Sequence, residues 1–487
     1  MASRGVAGGE VSTRVARAGS LRALAARGTI VTSVFLVAVA ALTLVRGFVV
    51  ARFVTPEQYG VWGVLVIALG TLLWLRQVGI GDRFVAQDEP DEELAFQKAF
   101  TLELLVAGAF TLLLLAALPV VALVYGRTDV LAPGLVLITV VPALALQAPV
   151  WVAWRRLQYV RQRALQSIDP VVGLVVSVGL AVAGAGTWAL VLGVVAGAWA
   201  QALVAVALSP HPLRLRYDRG TARRYAAFSW PLLAASGAGI VVAQGSMLAT
   251  EDALGIAAAG AVTLAGTVSQ FADRVDQAVT GALYPAVCAV RDRVDVLHES
   301  FVKSNRLALM WAMPFGAGLA LFAPALIDVL GEDRWGPATT LVGAFGLLAA
   351  VNHLGFNWDA YFRAREETRP LAVGAAAMTA AFLAGIPFVW ILDDLDGVVV
   401  ALAATTAAGL AVRAVYLRRL FAGFALGRHA LRAVAPVVPA VALTLALRAA
   451  GVPDGALLAV YAAMVAAATW WLERDLLREA TGYLRTR

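Results

Sequence analysis

Chemistry that depends on thiols, imidazoles or amines has little to work with in this chain. Of 487 residues one is a cysteine, Cys288, four are histidines, and Lys98 and Lys303 are the only lysines among 39 basic residues. A lone cysteine excludes an internal disulfide, and the scattered histidines leave no metal-ligand cluster. There is no HExxH and no P-loop GxxxxGK[ST], so neither a zinc-hydrolase helix nor an ATP-hydrolysing loop is written here. The DxD triplet Asp394-Leu395-Asp396 reads as a solvated acidic turn rather than a metal site. GxG patterns such as Gly237-Ala238-Gly239 fall inside apolar runs, where they permit close helix packing. Long polar connections are missing too: none exceeds about 25 residues. Neither a cofactor nor a metal is implied.

What the chain has in excess is apolar length. Hydrophobic residues make up 61% and charged residues 15%, against roughly 45–50% and about 25% in soluble domains. Mean hydropathy is +0.79. This predicts an all-α polytopic membrane protein. Runs long enough to cross a bilayer, about 17–25 residues, occur at 29–51, 60–78, 99–124, 130–153, 169–185, 187–208, 225–248, 254–282, 304–323, 337–360, 370–391, 397–417, 431–448 and 455–472. They predict about 14 transmembrane helices. Arg4, Arg14, Arg17, Arg22 and Arg27 precede the first run. At about 22 residues that run exceeds the roughly 7–15 of a signal-peptide core, so 1–28 reads as a basic cytoplasmic arm.

Arginine placement tests the segmentation. Basic residues collect in cytoplasmic connections of membrane proteins. Arg155, Arg156, Arg161 and Arg163, then Arg214, Arg216, Arg219, Arg223 and Arg224, fall in even-numbered connections. So do Arg363, Arg365 and Arg369, and later Arg418, Arg419, Arg428 and Arg432. Odd connections hold Arg52, Arg127, Arg334 and Arg448 among acids such as Glu251-Asp252 and Asp393-Asp394. The alternation predicts both termini inside, and it accounts for the pI of 9.8 with no nucleic-acid partner. The acidic connection 79–98 is the exception.

Thr55-Pro56-Glu57-Gln58-Tyr59-Gly60 closes one helix and opens the next: Pro56 cannot continue a helix, Thr55 suits an N-cap and Glu57 the positive helix end. A partial echo, Thr250-Glu251-Asp252-Ala253-Leu254-Gly255, stands 195 residues later. It suggests two six-helix lobes, 29–208 and 225–417, joined by a basic linker at 209–224. A helix pair at 431–472 and a cytoplasmic tail at 473–487 follow.

The stretch Ala51–Gly63, ARFVTPEQYGVWG, with Gln77-Val78-Gly79-Ile80-Gly81, resembles the start of oligosaccharide flippases of the O-antigen and teichuronic-acid export type. These are members of the multidrug/oligosaccharidyl-lipid/polysaccharide exporter superfamily. Their pattern is an RxLxPxxYG corner followed by a D-x-G-hydrophobic-G element, and here Gln77 replaces the acid. Ala282-Leu283-Tyr284-Pro285-Ala286-Val287, Phe301, Pro314–Leu319 and Gly331-Glu332-Asp333-Arg334-Trp335 resemble the family's eighth-to-ninth helix region, with Cys288 standing at the usual serine. The resemblance covers roughly 30–420. It implies alternating access around a central cavity, with Thr55, Pro56, Glu57, Tyr59 and Gly60 as an outer hinge, and it implies a lipid-linked oligosaccharide as cargo.

Ionisable residues inside spans are costly and usually face an interior or water. Arg46 either snorkels outward or faces the lumen, and Arg76 does the same at the inner side. Glu103 either pairs with a nearby cation or lines the lumen. Asp273, Arg274 and Asp276 lie near the inner mouth. Asn352, His353, Asn357 and Asp359 occupy the inner half of the tenth run, with His353, Asn357 and Tyr361 at i, i+4 and i+8. Gln147, Gln201 and Gln244 suit interhelical hydrogen bonds.

The reading is a non-enzymatic flippase of the cytoplasmic membrane, with membrane lipids and enzymes of the same glycan pathway as partners. A lipid II flippase, a cation-coupled drug exporter, or a glycan polymerase or ligase are the rival functions. Short outer loops argue against the last.

Overall fold

The computed structural model describes residues 18–76, 80–86, 89–156, 158–223, 237–269, 287, 290–365, 367 and 369–485, with side chains from Phe35 onward except at 71–76, 82, 86, 237–238, 332 and 479–485. The described chain is helical throughout. The first half comprises α1 (Ala18–Phe53), α2 (Pro56–Arg76), α3 (Ile80–Ala86), α4 (Glu92–Val124), α5 (Leu131–Ile138), α6 (Val140–Leu146), α7 (Val150–Arg155), α8 (Tyr159–Gln166), α9 (Ile168–Val182) and α10 (Thr187–Ala207). The second half comprises α11 (Gly237–Leu254), α12 (Ile256–Ser269), α13 (Val294–Leu330), α14 (Glu332–Trp335), α15 (Ala338–Asn352), α16 (Trp358–Ala364), α17 (Arg369–Gly385), α18 (Phe388–Leu392) and α19 (Asp396–Leu420). Last come α20 (Leu426–Val434), α21 (Val437–Ala449) and α22 (Asp454–Arg485).

Among the described residues nine helices are long and apolar enough to cross a membrane, or ten if α20 and α21, bent by 44°, form one span. The remaining four expected runs fall on α2, α11, α12 and α15. Of these, α2, α11 and α12 border residues that are not described, and α15 has only 15 residues.

Local chemistry sets the corners. At the start of α2 the Thr55 Oγ1 accepts from Gln58 N at 3.3 Å, and Gln58 Oε1 accepts from Thr55 N at 3.1 Å. This is a reciprocal capping box with proline at the first helical position. Gln58, not Glu57, closes it. Asp91 caps α4 by accepting from Leu94 N at 3.0 Å. The tenth run, expected as one span over 337–360, is broken. Gly355 adopts φ +70°, a left-handed turn open to glycine, and α16 restarts at Trp358. The suspected repeat is shifted as well. Thr250-Glu251-Asp252-Ala253-Leu254 is the last turn of α11, whereas Thr55 opens α2, so the two segments are not equivalent.

Connections sort by parity. On one side Glu92 pairs with Arg156 at 2.9 Å, Arg156 approaches His211 at 3.4 Å, and Thr101 Oγ1 accepts from Arg216 N at 2.6 Å. These contacts join the second, fourth and sixth connections, and in the acidic exception Glu92 pairs with an arginine of the next even connection while Glu89 pairs with Lys98. Odd connections meet each other at the opposite end. One continuous core, including Val50, Tyr59, Leu65, Ile256, Leu264 and Trp335, spans both halves there. Away from it each half keeps its own core: Phe84, Phe96 and Phe100 in the first, and Phe301, Tyr361 and Phe421 in the second. Among the described residues the halves are thus joined at the odd end, and the cores toward the even end are separate.

Candidate translocation pathway

The joint is built on glycine. A methyl group added to Gly60 of α2 would drive into the carbonyl oxygen of Ile256 in α12, with Ile256 Cγ1 at 2.9 Å. A methyl on Gly260 would drive into the carbonyl oxygen of Pro56, with Gly60 N at 3.0 Å. At Gly63 the obstacles are the Thr263 hydroxyl and Met247 Cε. The contacts are reciprocal: Pro56 corresponds to Ile256 and Gly60 to Gly260. At this crossing the corresponding positions are therefore 200 residues apart, not 195. Around this crossing Trp335 Nε1 donates to Ala51 O at 3.0 Å, Arg52 Nη1 donates to Leu330 O at 3.4 Å, and Tyr59 meets Trp335 edge-on at 5.6 Å between ring centres. Gln244 Nε2 donates to Ile67 O at 2.7 Å, tying α11 to α2. Pro56, Tyr59 and Gly60 accordingly stand at the seam between the halves, whereas Thr55 caps α2 and Glu57 is exposed.

Beside the seam, α1 lines an apolar groove of about 660 Å³. Its walls are Leu44 and Phe48 from α1, Trp311, Phe315 and Phe322 from α13, and Tyr461 and Trp470 from α22. Arg46 lies on the other side of α1, because a residue two positions along a helix turns about 200°. A Cβ built on Gly173 of α9 would stand 3.2 Å from Arg46 Nη1 and 3.9 Å from Asp169 Oδ1. Arg46 interacts electrostatically with Asp169 and Tyr59, and Tyr59 hydrogen-bonds Thr267 of α12. The room for this pair is made by small residues. Gly173, Gly193 and Gly197 let α9 and α10 approach, and a Cβ on Gly197 would lie 2.6 Å from Asp169 O. Asp169 was placed at the edge of the fifth run by its neighbours in sequence. The helical segment preceding it, from Tyr159, moves it inside the span Tyr159–Val182.

In the second half a buried polar cluster surrounds the break at Gly355. Asn305 of α13 donates Nδ2 to His353 O at 2.9 Å, and its Oδ1 accepts from Gly355 N at 3.1 Å and from His429 Nε2 at 2.7 Å. Arg413 of α19 donates to Asn352 Oδ1 at 3.0 Å. Asn357 donates to Ser304 Oγ at 2.7 Å, and the Tyr361 hydroxyl lies 2.9 Å from that of Ser300. His353, Asn357 and Tyr361 are therefore brought together, although by a turn and not on one helix face. Asn305, Arg413 and His429 complete the cluster, and their only sequence signal is polarity within or beside an apolar run. Buried polar groups need such partners: each unsatisfied one costs about 1–3 kcal/mol.

The other candidates lie elsewhere. Glu103 is buried on α4, at 8% exposure. Asp359 is half-buried and pairs with Arg363 one turn on, at 2.7 Å. Arg76 ends α2, and its side chain is not among those described. Asp273, Arg274 and Asp276 lie outside the described residues. Gln147 accepts from Gln201 at 3.0 Å, the interhelical bond expected of them.

Two helical halves joined at one end, with opposite charges inside the spans and an apolar groove beside the joint, are the architecture of a multi-pass membrane protein. The solved structures with this fold include the lipid II flippase MurJ in an inward closed conformation, with a TM-score of 0.61 and 13% identity over 92% of this chain and 100% of that one. They also include an inward-facing multidrug resistance MATE family transporter of the MOP superfamily, with a TM-score of 0.60 and 13% identity over 80% of this chain and 98% of that one. The chain belongs to the family described as polysaccharide biosynthesis protein, whose profile matches residues 49–340. A relative is the succinoglycan biosynthesis transport protein ExoT of Rhizobium meliloti (strain 1021), 22% identical over 309 residues. This chain spans 62% of that relative's length, and the match takes in 62% of its own.

Proposed function

We propose that this protein flips a polyprenyl-pyrophosphate-linked oligosaccharide from the inner to the outer leaflet of the cytoplasmic membrane, for cell-surface polysaccharide synthesis. The observation that carries this reading is the 660 Å³ apolar groove against α1. A many-hydroxyl head cannot cross hydrocarbon unaided, since each desolvated polar group costs several kcal/mol. An apolar groove on one side of α1, with the Arg46 guanidinium on the other, suits a cargo that is half sugar and half lipid. In this reading the chain makes fourteen spans with both termini inside, so the sealed odd end is the outer one. Opening and resealing of that end alternate with the even end.

Arg46, oriented by Asp169, offers its remaining guanidinium donors to the anionic linkage of the cargo. A membrane potential negative inside favours outward movement of that charge by roughly 2.3 kcal/mol per charge per 100 mV. Glycosyltransferases or a polymerase of the same pathway supply and consume the cargo. The second reading, a cation-coupled drug exporter, gains support from Asp169, an acid inside a span of the first half. A deletion strain separates the two. Lipid-linked oligosaccharide is expected to accumulate out of reach of an impermeant oxidant added to intact cells, with drug tolerance unchanged. A strain whose only defect is drug or dye sensitivity would reject the flippase reading.

A further inference from the structure

The first half carries a second cavity, apart from the groove, whose lining mixes polar and apolar residues. It measures about 330 Å³ and lies where three odd connections converge. Glu57, Gln58 and Val61 come from the start of α2, Arg127 and Asp129 from the turn after α4, and Thr187 and Trp188 from the start of α10. Trp188 is 38% exposed, so its ring is open to a ligand on one side.

We infer that this cavity binds a neutral sugar residue. A pyranose ring offers a face of C–H groups and an edge of neighbouring hydroxyls. An aromatic ring meets the first, and planar amide, carboxylate and guanidinium groups meet the second, each taking or giving more than one hydrogen bond. This cavity holds one tryptophan and four such planar groups in a volume at the lower end of small-molecule pockets, about 300 Å³ and upward. That is room for one sugar ring and not for an extended chain.

Charge narrows the class. Arg127 donates to both oxygens of Asp129, Nε at 3.1 Å and Nη2 at 2.6 Å. Those hydrogen bonds, with the nearby Glu251 charge, hold the Arg127 guanidinium above its usual range, so it stays charged and is neutralised by its neighbour. Glu57 is exposed, and among the described residues no hydrogen bond or ion pair engages it. The lining is therefore net negative by one charge, which suits uncharged sugars and repels uronates. The scaffold is rigid where it needs to be: the Thr187 hydroxyl donates to Gln58 O at 2.9 Å, locking α10 to the α2 corner beneath the cavity floor. That the bound sugar belongs to an exported glycan rests on the proposed function, whereas the binding itself does not.

The experiment is saturation-transfer NMR on the full chain in lipid nanodiscs, with methyl glucoside and methyl galactoside as neutral probes and glucuronate as the charged one. Binding is expected in the millimolar range, with at least a fivefold weaker signal for glucuronate. Trp188→Ala should abolish the signal, Trp188→Phe should retain part of it, and Trp471→Ala, at a residue 73% exposed elsewhere, should leave it intact. Glu57→Gln should bring glucuronate up to the level of the neutral probes. Absence of any signal at tens of millimolar, or a signal indifferent to Trp188→Ala, would overturn the site whatever the cargo proves to be. Binding that follows this pattern in a protein that moves no lipid-linked glycan would keep the site and discard the flippase reading.

Discussion

Gly60→Val is expected to open the sealed end of the molecule and to stop transport at normal expression. The reason is steric and local. At this position the obstacle is the Ile256 carbonyl, which is backbone and has no rotamer to move to. The reciprocal contact between Gly260 and Pro56 leaves no slack on the other side of the crossing. Overpacking of this kind costs about 1–3 kcal/mol, which shifts a two-state equilibrium by roughly 5- to 150-fold. Gly260→Val should behave alike, because the contact is reciprocal. Gly70→Val on the same α2 should be tolerated, since among the described residues nothing lies within 4 Å of a Cβ there. After replacement of Cys288, a single cysteine introduced by Ile256→Cys reports the opening. Ile256 is only 9% exposed in the sealed state, so an impermeant maleimide should miss it in intact cells and label it once Gly60→Val is added. Labelling from the cytoplasmic side alone would invert the proposed orientation, and unchanged labelling would remove the seal.

The second large effect is expected at the Arg46–Asp169 pair. Arg46 and Asp169 are half-buried and interact electrostatically without a hydrogen bond between them, so removing either leaves the other charge less compensated inside its span, at a cost of a few kcal/mol at most. Arg46→Ala and Asp169→Ala should each lower the thermal stability of the purified protein markedly. Replacing both charges with apolar residues of similar volume often costs little, so Arg46→Met with Asp169→Leu should recover most of that stability. Flipping should not recover, because the cargo would lose its guanidinium. Recovery of both stability and flipping in the double variant would make the pair purely structural, and the cargo's charge would have to be met elsewhere.

Both expectations show what a linear sequence can and cannot carry. The apolar runs are long, so hydropathy alone placed helices along the whole chain, and Thr55-Pro56 marked a true helix start. The capping box that closes it follows the usual spacing, with Gln58 three residues after Thr55. The TPEQYG corner was visible as a turn. Its role at the seam was not, because Gly260 and Ile256, its partners, look like any alanine-rich helix start. Arg46 stood out as a charge in an apolar run. Its counterpart Asp169 did not, because the polar segment before it, Tyr159 to Ser167, masked the true beginning of the helix. The Gly355 break was hidden for the opposite reason: one glycine among apolar residues does not interrupt a hydropathy profile, and the side chains that hold the turn, Asn305 and Arg413, are distant in sequence.

The central claim is that the groove and seam move a sugar head across the bilayer while its lipid tail stays in the membrane. Purified protein in proteoliposomes, loaded with a fluorescent polyprenyl-pyrophosphate oligosaccharide in both leaflets, tests it directly. Adding an impermeant quencher should bleach only the outer-leaflet half in empty vesicles. With the wild-type protein it should bleach nearly all the label as inner-leaflet heads arrive outside, and with Gly60→Val it should again stop near half. Bleaching that stops near half with folded wild-type protein, under an imposed potential as well as without one, would contradict the account.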